Sequence, residues 1–395
     1  MSQAAASPAV FFGAARYRRP SYGSNHPLGI PRVSLTIDLL QAFAALPEAE
    51  YRDSRPAADH ELAWFHTTEY LRAARRIDAA ERASADDRKR WNLGNFENPA
   101  FKDFYHTAAL ATGASIQAAE AVIDEGRIGF NPAGGMHHAA PDQARGFCYF
   151  NDPVLGILRL RQAGWRVLYV DLDAHHGDGV ENAFAADPAV FTLSLHMATD
   201  QAYPFAGGGL ADWGTGDGEG YALNLPMPRG AHDDDYATAF EAVWGWVSDR
   251  FQPDAVVLQA GTDILLPDPL SKFRVSTQAF LGMAARIQAD SAPRLLVTGG
   301  GGYHPLALAR CWAGLWAQLS GRALPEALPP EGRELLAAVD WDLDEDEDWF
   351  DELFERRLDP PQNGPVKPEV TAALDWLRRH HPFLQATAHA VPAAR

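Results

Sequence analysis

The stretch Val167-Leu-Tyr-Val-Asp-Leu-Asp-Ala-His-His-Gly-Asp-Gly179 joins a short apolar segment to three carboxylates and two imidazoles. A continuous Val-Leu-Tyr-Val run is typical of a strand that is buried on both faces of a parallel sheet. Period-two alternation would place Asp171, Asp173 and His175 on one side of that strand. A carboxylate oxygen and an imidazole nitrogen on one stiff support suit a divalent metal. We therefore favour a metal site over a solvated loop, because solvation does not explain so many ionisable groups beside an apolar strand.

Strand-like and helix-like segments alternate on either side of this stretch. Apolar, β-rich segments predict strands at residues 128–131, 167–173, 190–196, 255–260 and 294–298. Helical periodicity predicts helices at about 34–45, 58–76, 105–124, 152–164, 234–250, 275–290 and 305–319. Such alternation predicts a mainly parallel sheet with right-handed crossovers. Parallel sheets of this kind carry their sites at the carboxyl ends of the strands.

The composition is that of an ordinary globular protein. Its 395 residues, 47% of them hydrophobic, can bury a large core as one big α/β domain or two smaller ones. The 52 acidic and 34 basic residues give a net charge of −18, which argues against a nucleic-acid partner. This charge is compatible with a cationic ligand, but we attribute it to general solubility.

Cysteine use and the N-terminus predict a cytoplasmic location. Cys148 and Cys311 lie in apolar surroundings without CxxC spacing, which indicates a reducing compartment. Residues 1–8 lack the basic and apolar regions of a signal peptide, and no apolar stretch approaches the length of a membrane span. We therefore expect no membrane partner.

Three more predicted strands end in reactive residues. Asp263 follows the segment at 255–260 and is the natural third metal ligand, which leaves coordination positions open. His137 and His138 follow a glycine turn, although a His-His pair alone is as compatible with a surface or core pair as with catalysis. The glycine run before Tyr303 lacks the GxGxxG and P-loop patterns, so we interpret it as a loop presenting the tyrosine hydroxyl rather than a phosphate site.

Together these groups predict amide hydrolysis without a covalent intermediate. A metal polarises a carbonyl and acidifies a water, a histidine moves a proton from that water to the leaving amine, and a tyrosine stabilises the oxyanion. Nucleophilic catalysis by serine or cysteine is disfavoured, because no GxSxG elbow occurs and Cys148 sits in an apolar run.

Five motifs resemble those of the zinc-dependent histone deacetylase family, and most closely its class I-like members and the bacterial acetoin-utilisation deacetylases. These motifs are Gly134-Gly-Met-His-His-Ala139, Gly146-Phe-Cys-Tyr-Phe-Asn-Asp152, Asp171–Gly179, Gly261-Thr-Asp263 and Gly299-Gly-Gly-Gly-Tyr303. The resemblance implies the arginase/deacetylase fold, an α/β fold with a central eight-stranded parallel sheet. It extends from about His26 to about Trp316. We therefore expect a single catalytic domain at residues 1–320, irregular over its first 25 residues or so, and an acidic, helical extension at 321–395 that packs on the domain or trails it.

The resemblance also implies a role for each site residue. The residues that match the zinc ligands are Asp173, His175 and Asp263. His138 matches the general base and acid, held by Asp178. His137, held by Asp171, matches the histidine that stabilises the transition state electrostatically. Tyr303 matches the oxyanion tyrosine. These oxygen and nitrogen ligands accommodate ferrous iron as well as zinc.

Two structural sites for a monovalent cation, K⁺ or Na⁺, are implied in the same way. The first matches Asp171, Asp173, His175, Ser194 and Leu195. The second matches Phe184, Asp187, Val190 and Tyr221. Backbone carbonyls supply part of both sites.

The resemblance places an acyl-lysine tunnel above the metal. The Gly146 carbonyl would accept the substrate amide proton, Phe147 would form an aromatic wall, and Leu270 would line the entrance. Where the family usually has Phe-Pro-Gly, this chain reads Tyr-Pro-Phe from residue 203, so either Pro204 or Phe205 forms the other wall.

Two more residues have an implied role at the ends of the tunnel. Glu97 is the candidate for the acid at the rim that clamps the substrate backbone, although Asn95-Phe-Glu97 carries one residue more than the family pattern. Arg32 matches an arginine of the internal channel that releases acetate.

We therefore expect a metal-dependent deacylase acting on N-acyl-lysine in peptides or proteins. One alternative is an amidohydrolase of the same fold for acetylated polyamines or other small amines. An arginase-like enzyme with two manganese ions is disfavoured, because Gly177 stands where that family has another carboxylate. A catalytically silent scaffold that binds through the acidic run at 340–351 is disfavoured, because every proton-handling residue is present; we interpret that run as a solvated surface.

Overall fold

Eight strands form one parallel sheet in the structure, a computed structural model that describes residues 8–341 and 352–386. The strands are β1 (Ala9–Gly13), β2 (Tyr51–Asp53), β3 (Ile128–Asn131), β4 (Val167–Asp171), β5 (Val190–Met197), β6 (Ala222–Met227), β7 (Ala255–Gln259) and β8 (Leu295–Thr298). Their order across the sheet is β2-β1-β3-β8-β7-β4-β5-β6, and every neighbouring pair is parallel. The prediction of a central eight-stranded parallel sheet is confirmed.

Fourteen α-helices occur in the described residues. They are α1 (Arg32–Ala42), α2 (Asp59–Leu62), α3 (Thr68–Ala80), α4 (Ala85–Trp91), α5 (Phe104–Glu120), α6 (Asp152–Gln162), α7 (Asp178–Phe184), α8 (Asp233–Phe251), α9 (Thr277–Ser291), α10 (Pro305–Leu319), α11 (Pro330–Ala337), α12 (Glu352–Glu355), α13 (Pro368–His380) and α14 (Pro382–Gln385). None of them is long and apolar enough to cross a membrane.

The sheet is buried on both faces because successive side chains of each strand enter two different cores. In β4, Leu168 and Val170 face the core built with α1, α8, α9 and α10. Val167 and Tyr169 face the opposite core, built with α5, α6 and α7. Each such apolar side chain contributes roughly 1.5–3 kcal/mol to folding when it is fully buried. The apolar run thus explains why β4 is an inner strand.

The strand predicted at 167–173 is shorter than expected. It ends at Asp171, so Asp173 and His175 lie in the turn that precedes α7, and period-two alternation is not what aligns them. The Asp171 carboxylate accepts the backbone N–H of Asp173, and the Asp173 carboxylate accepts that of His175. These side-chain bonds replace the ladder bonds of a strand and fold the backbone into a turn.

The helix predicted at 58–76 is two helices, α2 and α3. The break follows from Thr67, which begins α3 as its N-cap and accepts the backbone N–H of Tyr70 through its hydroxyl.

Strands β1, β2 and β6 are absent from the prediction. Strands β2 and β6 lie at the two edges of the sheet, where one side of the strand has no ladder partner.

The described part of the C-terminal extension packs on the central sheet and its helices. Leu377 of α13 is fully buried in the same core as α8. The aspartates at 233–235, which begin α8, accept the backbone N–H groups of Gln362, Gly364 and Lys367. The domain boundary at residue 320 stays a prediction. Most of the acidic run at 340–351 lies outside the described residues.

Buried His66 lies between α2 and α3. Its neutral imidazole binds the backbone of two neighbouring segments. Its Nε2 accepts the N–H of Asn151 at 3.0 Å, and its Nδ1 lies 3.3 Å from the carbonyl of Pro141. Burial lowers the pKa of His66 from 6.5 to about 4. A depressed histidine pKa means that the unfolded chain binds the proton more readily than the folded one, so stability is present above pH 6.5 and is lost as pH falls toward 4.

We expect His66 to make the free energy of unfolding fall by about 2 kcal/mol between pH 7.5 and pH 5. Urea unfolding of His66→Gln should show a pH dependence that is smaller than the wild-type one by about that amount. His60→Gln, at an exposed histidine of α2, is the matched control and should keep the wild-type pH dependence. Equal pH dependence in wild type and His66→Gln would contradict this account.

Candidate metal centre and catalytic site

The reactive residues meet at the carboxyl ends of four adjacent strands. The order β3-β8-β7-β4 places side by side the four turns that follow these strands. The turn after β3 carries the histidine pair at 137–138, and the turn after β4 carries Asp173 and His175. Asp263 follows β7, and the glycine loop ending at Tyr303 follows β8. Residues far apart in the chain are therefore neighbours in space.

Asp173, His175 and Asp263 form a compact cluster whose potential ligand atoms all lie within 4.8 Å of one another. The Nδ1 atom of His175 is 3.1 Å from Oδ1 of Asp173 and 2.9 Å from Oδ2 of Asp263. Both carboxylates are completely buried, and burial together with the charge of Asp173 raises the pKa of Asp263 to about 6. Two buried carboxylates beside an imidazole need a cation to be stable. The cluster fits a divalent metal with two oxygen donors and one nitrogen donor.

Glycines make room for this cluster. A Cβ atom added to Gly261 would collide with the carboxylate of Asp173, and one added to Gly301 would collide with that of Asp263. A Cβ added to Gly177 would collide with the carboxylate of Asp171. A site for two metal ions would need another carboxylate at position 177. This position has no space for a side chain.

Gln259, at the end of β7, is a site residue that the sequence analysis missed. Its Nε2 donates to Oδ2 of Asp173 at 2.7 Å and to the carbonyl of Gly135 at 3.2 Å. It lies opposite Asp171 in the register of β4 and β7. A polar residue at the end of the apolar run Ala255–Leu258 was the available signal. Gln259 links the metal cluster to the turn that carries the histidine pair.

Each histidine of the pair is held by its own carboxylate. Nδ1 of His137 lies 2.8 Å from Oδ2 of Asp171, and Nδ1 of His138 lies 2.7 Å from Oδ1 of Asp178. The two Nε2 atoms are 2.9 Å apart. Because each Nδ1 is bound to a carboxylate, each ring turns its Nε2 toward the cavity, where the two Nε2 atoms face each other. Tyr169 donates its hydroxyl to the same oxygen of Asp171 at 2.6 Å and so helps to orient that carboxylate.

The two histidines have opposite pKa shifts. Burial opposes protonation of His137, but the charges of Asp171 and Asp173 outweigh it and raise its pKa to about 9. Burial and the charge of His137 lower the pKa of His138 to about 4. Near neutral pH the pair therefore contains one cationic and one neutral imidazole. Paired groups with separated pKa values are the usual arrangement for an electrostatic role beside a proton acceptor.

The backbone around the histidine pair is fixed by two buried residues, Asn151 and Asp152. The Nδ2 of Asn151 donates to the carbonyls of His137 and Ala139. The carboxylate of Asp152 accepts the backbone N–H groups of the two residues before the pair. Since His66 in turn binds the backbone of Asn151, the support extends from the pair to the α2–α3 connection.

One narrow cavity joins these groups to the predicted tunnel. Its lining residues are Leu28, Arg32, Gly135, Met136, His137, His138, Gly146, Phe147, Cys148, Asp173, Gly300, Gly301 and Tyr303. The rings of Phe147 and Tyr303 are edge to face, with centroids 6.0 Å apart. The predicted wall, the histidine pair and the tyrosine thus face the same space.

At residues 203–205, the aromatic ring beside the histidine pair is one that neither alternative of the prediction named. The ring of Tyr203 packs edge to face on His138, with centroids 4.7 Å apart. Pro204 lines a neighbouring open cleft, and Phe205 is 69% exposed with its ring 6.2 Å from that of Tyr203. Tyr203 and Pro204 both line that cleft and not the cavity of the histidine pair, so which residue forms the tunnel wall stays a prediction.

Glu97 is bound to the protein rather than extended toward solvent. Its Oε1 accepts the backbone N–H of Gly146 at 2.5 Å, and its Oε2 accepts the side-chain amide of Asn92 at 3.2 Å. Tyr203 also places its hydroxyl 3.3 Å from Oε1. Glu97 therefore supports the Gly146 backbone. Leu270 is 42% exposed, and its place at the tunnel entrance stays a prediction.

Buried Arg32 lies between the catalytic cavity and a second, larger cavity. Its Nη1 donates to the carbonyl of Gly300 at 2.6 Å, and its guanidinium lies over the ring of Trp312. The second cavity shares Arg32 with the first and is also lined by Arg16 and Arg19. Among its described lining residues there is no carboxylate. This cavity favours anions in a chain of net charge −18.

The residues predicted for the cation sites lie around β4, β5 and the turn between α7 and β5. Asp171 and Ser194 are cross-strand partners, and Ser194 Oγ lies 2.8 Å from Nδ1 of His196. The carbonyls of Phe184, Asp187 and Tyr221 each accept a backbone N–H, from Asp187, Val190 and Thr192. Within each of the two sets, these residues therefore lie close together in space. Their role as cation ligands stays a prediction.

Comparisons with known proteins agree on one family. The profile described as the histone deacetylase domain matches residues 26–319. Histone deacetylase 8 of Xenopus tropicalis is 39% identical over 300 residues, which cover 75% of this chain and 80% of that protein. Histone deacetylase 9 of Arabidopsis thaliana is 36% identical over 324 residues, covering 82% and 75%. The crystal structure of a deacetylase homologue from Aquifex aeolicus superposes with a TM-score of 0.90 at 41% identity, covering 94% of this chain and 99% of that chain. A homologue in complex with SAHA gives the same values.

Proposed function

The chain belongs to the histone deacetylase family, and from this membership we propose that it is a metal-dependent deacylase for N-acyl-lysine, with acetyl-lysine as its principal substrate. It has the arginase/deacetylase fold and is a hydrolase of that family. The observation that carries the proposal is the shared cavity, which is lined by a ligand of the metal cluster, both histidines and Tyr303. Such a set serves amide hydrolysis by an activated water.

The metal would be held by Asp173, His175 and Asp263, and zinc or ferrous iron fits this donor set. When bound, it would polarise the acyl carbonyl and acidify a water molecule. The lack of space for a side chain at Gly177 supports a single divalent ion. Structural K⁺ or Na⁺ at the two sites near β5 belongs to the same proposal.

Proton transfer is assigned to His138. Its lowered pKa keeps the ring neutral near pH 7, so its Nε2 can accept a proton from water. The Asp178 carboxylate fixes the tautomer by binding Nδ1. The same ring then returns the proton to the amine of the leaving lysine. His137, cationic because of Asp171, stabilises the negative charge that develops on the acyl oxygen.

Tyr303 is the proposed oxyanion donor. Burial and the charge of Asp263 raise the pKa of its hydroxyl well above the usual value, so the hydroxyl stays protonated and can donate. The hydroxyl is neutral and already in place before the negative charge develops. It therefore stabilises the transition state more than it stabilises the planar amide of the substrate.

The acyl-lysine chain would lie between Phe147 and Tyr203. Gly146 and Phe147 both have positive φ angles, 51° and 69°, and a Cβ on Gly146 would collide with His138. The sharp turn brings the Gly146 carbonyl beside the tunnel. That carbonyl accepts the thiol of Cys148 at 3.2 Å and has a second lone pair for the substrate amide.

The second cavity provides a route for the product carboxylate. After hydrolysis, an acetate anion would pass from the metal cluster to Arg32, which lines both cavities. Arg16 and Arg19 continue the positive lining. We infer that this arrangement separates the exit of acetate from the exit of the lysine product.

A second candidate function is the deacetylation of acetylated polyamines. The open cleft beside Tyr203 and Pro204 is also lined by the carboxylates of Glu97, Asp178, Glu181 and Asp212, which could attract a second ammonium group. The apolar side chains of Phe96, Phe205 and Leu270 favour a peptide instead. They are the exposed large hydrophobic residues of the described chain. Phe96 packs near His26, which packs on Phe147.

A rate panel tests the proposal. We expect kcat/KM for an acetyl-lysine peptide to exceed that for an acetylated polyamine by roughly tenfold or more, the scale of one apolar contact. Released acetate is measured with the metal supply held constant. Asp212→Asn serves as a control, because removal of this exposed carboxylate should slow only a polycationic substrate. Faster turnover of the polyamine would assign the second function. If neither substrate is turned over, the catalytically silent binding scaffold would be the remaining interpretation.

A further inference from the structure

Asp268 connects the loop that carries Tyr303 to the entrance loop that carries Leu270. Its Oδ2 accepts the backbone N–H of Tyr303 at 2.7 Å. Its Oδ1 accepts the N–H groups of Leu270 at 2.9 Å and Ser271 at 3.4 Å. The residue is only 6% exposed. Both oxygens are therefore occupied by backbone donors from two separate loops.

The Tyr303 loop has little stiffness of its own. Four glycines at 299–302 precede the tyrosine, and Gly300 and Gly302 have φ angles of 153° and 133°, which side chains disfavour. Such a segment has many backbone conformations to lose on folding. Its position must come from bonds to its neighbours.

Those bonds occur along the loop. Arg32 binds the carbonyl of Gly300, and Asp173 accepts the N–H of Gly301. At Tyr303 itself, the backbone N–H is held by Asp268. A shift of this backbone atom would move the hydroxyl at the far end of the side chain, where the acyl oxygen is stabilised.

We propose that Asp268 is a positioning residue that acts through Tyr303. It holds the tyrosine backbone so that the hydroxyl meets the developing oxyanion, and it fixes the entrance loop at the same time. This inference rests on the proposed role of Tyr303. An amide at position 268 cannot accept from both loops, since its NH₂ group would face one of the backbone N–H donors.

A double-mutant cycle tests the inference on the metal-loaded enzyme. Asp268→Asn should lower kcat for an acetyl-lysine peptide by about 10- to 100-fold, the scale of a misplaced catalytic group. Any loosening of the entrance loop should appear in KM rather than in kcat, and both are measured in the same assay. In the Tyr303→Phe background, where no hydroxyl remains to be positioned, Asp268→Asn should change kcat by no more than about twofold.

Asp233→Asn is the matched control. Asp233 is 7% exposed and also accepts backbone N–H groups from two segments, at Ser276 and Gln362. This variant should lose stability without a specific loss of kcat, and its effect should be the same with or without the Tyr303 hydroxyl. Bound metal and Tm are measured for every variant.

The cycle separates the two ways in which the idea can fail. An equal loss of kcat from Asp268→Asn in both backgrounds would overturn the inference while leaving the role of Tyr303 intact. A wild-type kcat for Tyr303→Phe would overturn the proposed role of Tyr303 itself. If Asp268→Asn does not fold, Asp268→Ser, with one hydroxyl that cannot reach both loops, is used in the same cycle.

Discussion

Tyr303→Phe should lower kcat for an acetyl-lysine peptide by roughly two to three orders of magnitude, the scale of one oxyanion donor. The substitution removes a single oxygen atom from a ring that packs on Phe147. Tyr303 is not part of the metal cluster, so the metal content should stay at the wild-type level. Steady-state kinetics and elemental analysis on the same preparation measure both quantities.

Tyr70→Phe is the matched control for this prediction. Tyr70 is likewise buried, but its hydroxyl donates to the carbonyl of Tyr149, outside the cavity that Tyr303 lines. We expect Tyr70→Phe to lose stability by about 1 kcal/mol and to keep kcat. A near-wild-type kcat for Tyr303→Phe would remove Tyr303 from its role.

Complete removal of the metal by a chelator should lower deacylase activity by at least roughly three orders of magnitude. Addition of Zn²⁺, Fe²⁺ or Co²⁺ should restore it. The buried carboxylates of Asp173 and Asp263 repel each other without a cation. Metal addition should therefore also raise Tm, and a ligand at 100 times its Kd adds about 2.7 kcal/mol of stability.

Asp263→Asn provides the control for metal binding. It keeps the size of the side chain but removes one anionic ligand, so the rise in Tm on metal addition should shrink together with activity. The thermal shift is read without substrate and is independent of turnover. Full activity after verified metal removal would rule out the proposed mechanism.

The fold was predictable where the chain repeats one pattern. Alternating apolar segments and helices predicted the parallel sheet, because inner strands must be apolar on both faces. The edge strand β2 escaped prediction, since its three residues carry little pattern of their own. The turn at Asp173 escaped it because side-chain bonds to the backbone, rather than alternation, end β4 there.

The candidate site was predictable in its residue types more than in its contacts. The motifs named the metal cluster and the histidine pair, and the structure brings them together. Gln259 and Asp268 were missed because their partners are distant in sequence. Gln259 meets Asp173 only because β7 lies beside β4, and Asp268 meets Tyr303 only because two loops converge. A local sequence pattern does not show which residues of distant segments become neighbours in the fold.

Strand β8 joins the two halves of the candidate site. It is the last strand in the chain, yet it lies in the middle of the sheet, between β3 and β7. Without residues 295–298, no ladder would join the half-sheet β2-β1-β3 to the half-sheet β7-β4-β5-β6. One half carries the histidine pair, and the other carries Asp173, His175 and Asp263. Strand β8 therefore brings the histidine pair and the candidate metal ligands into one site.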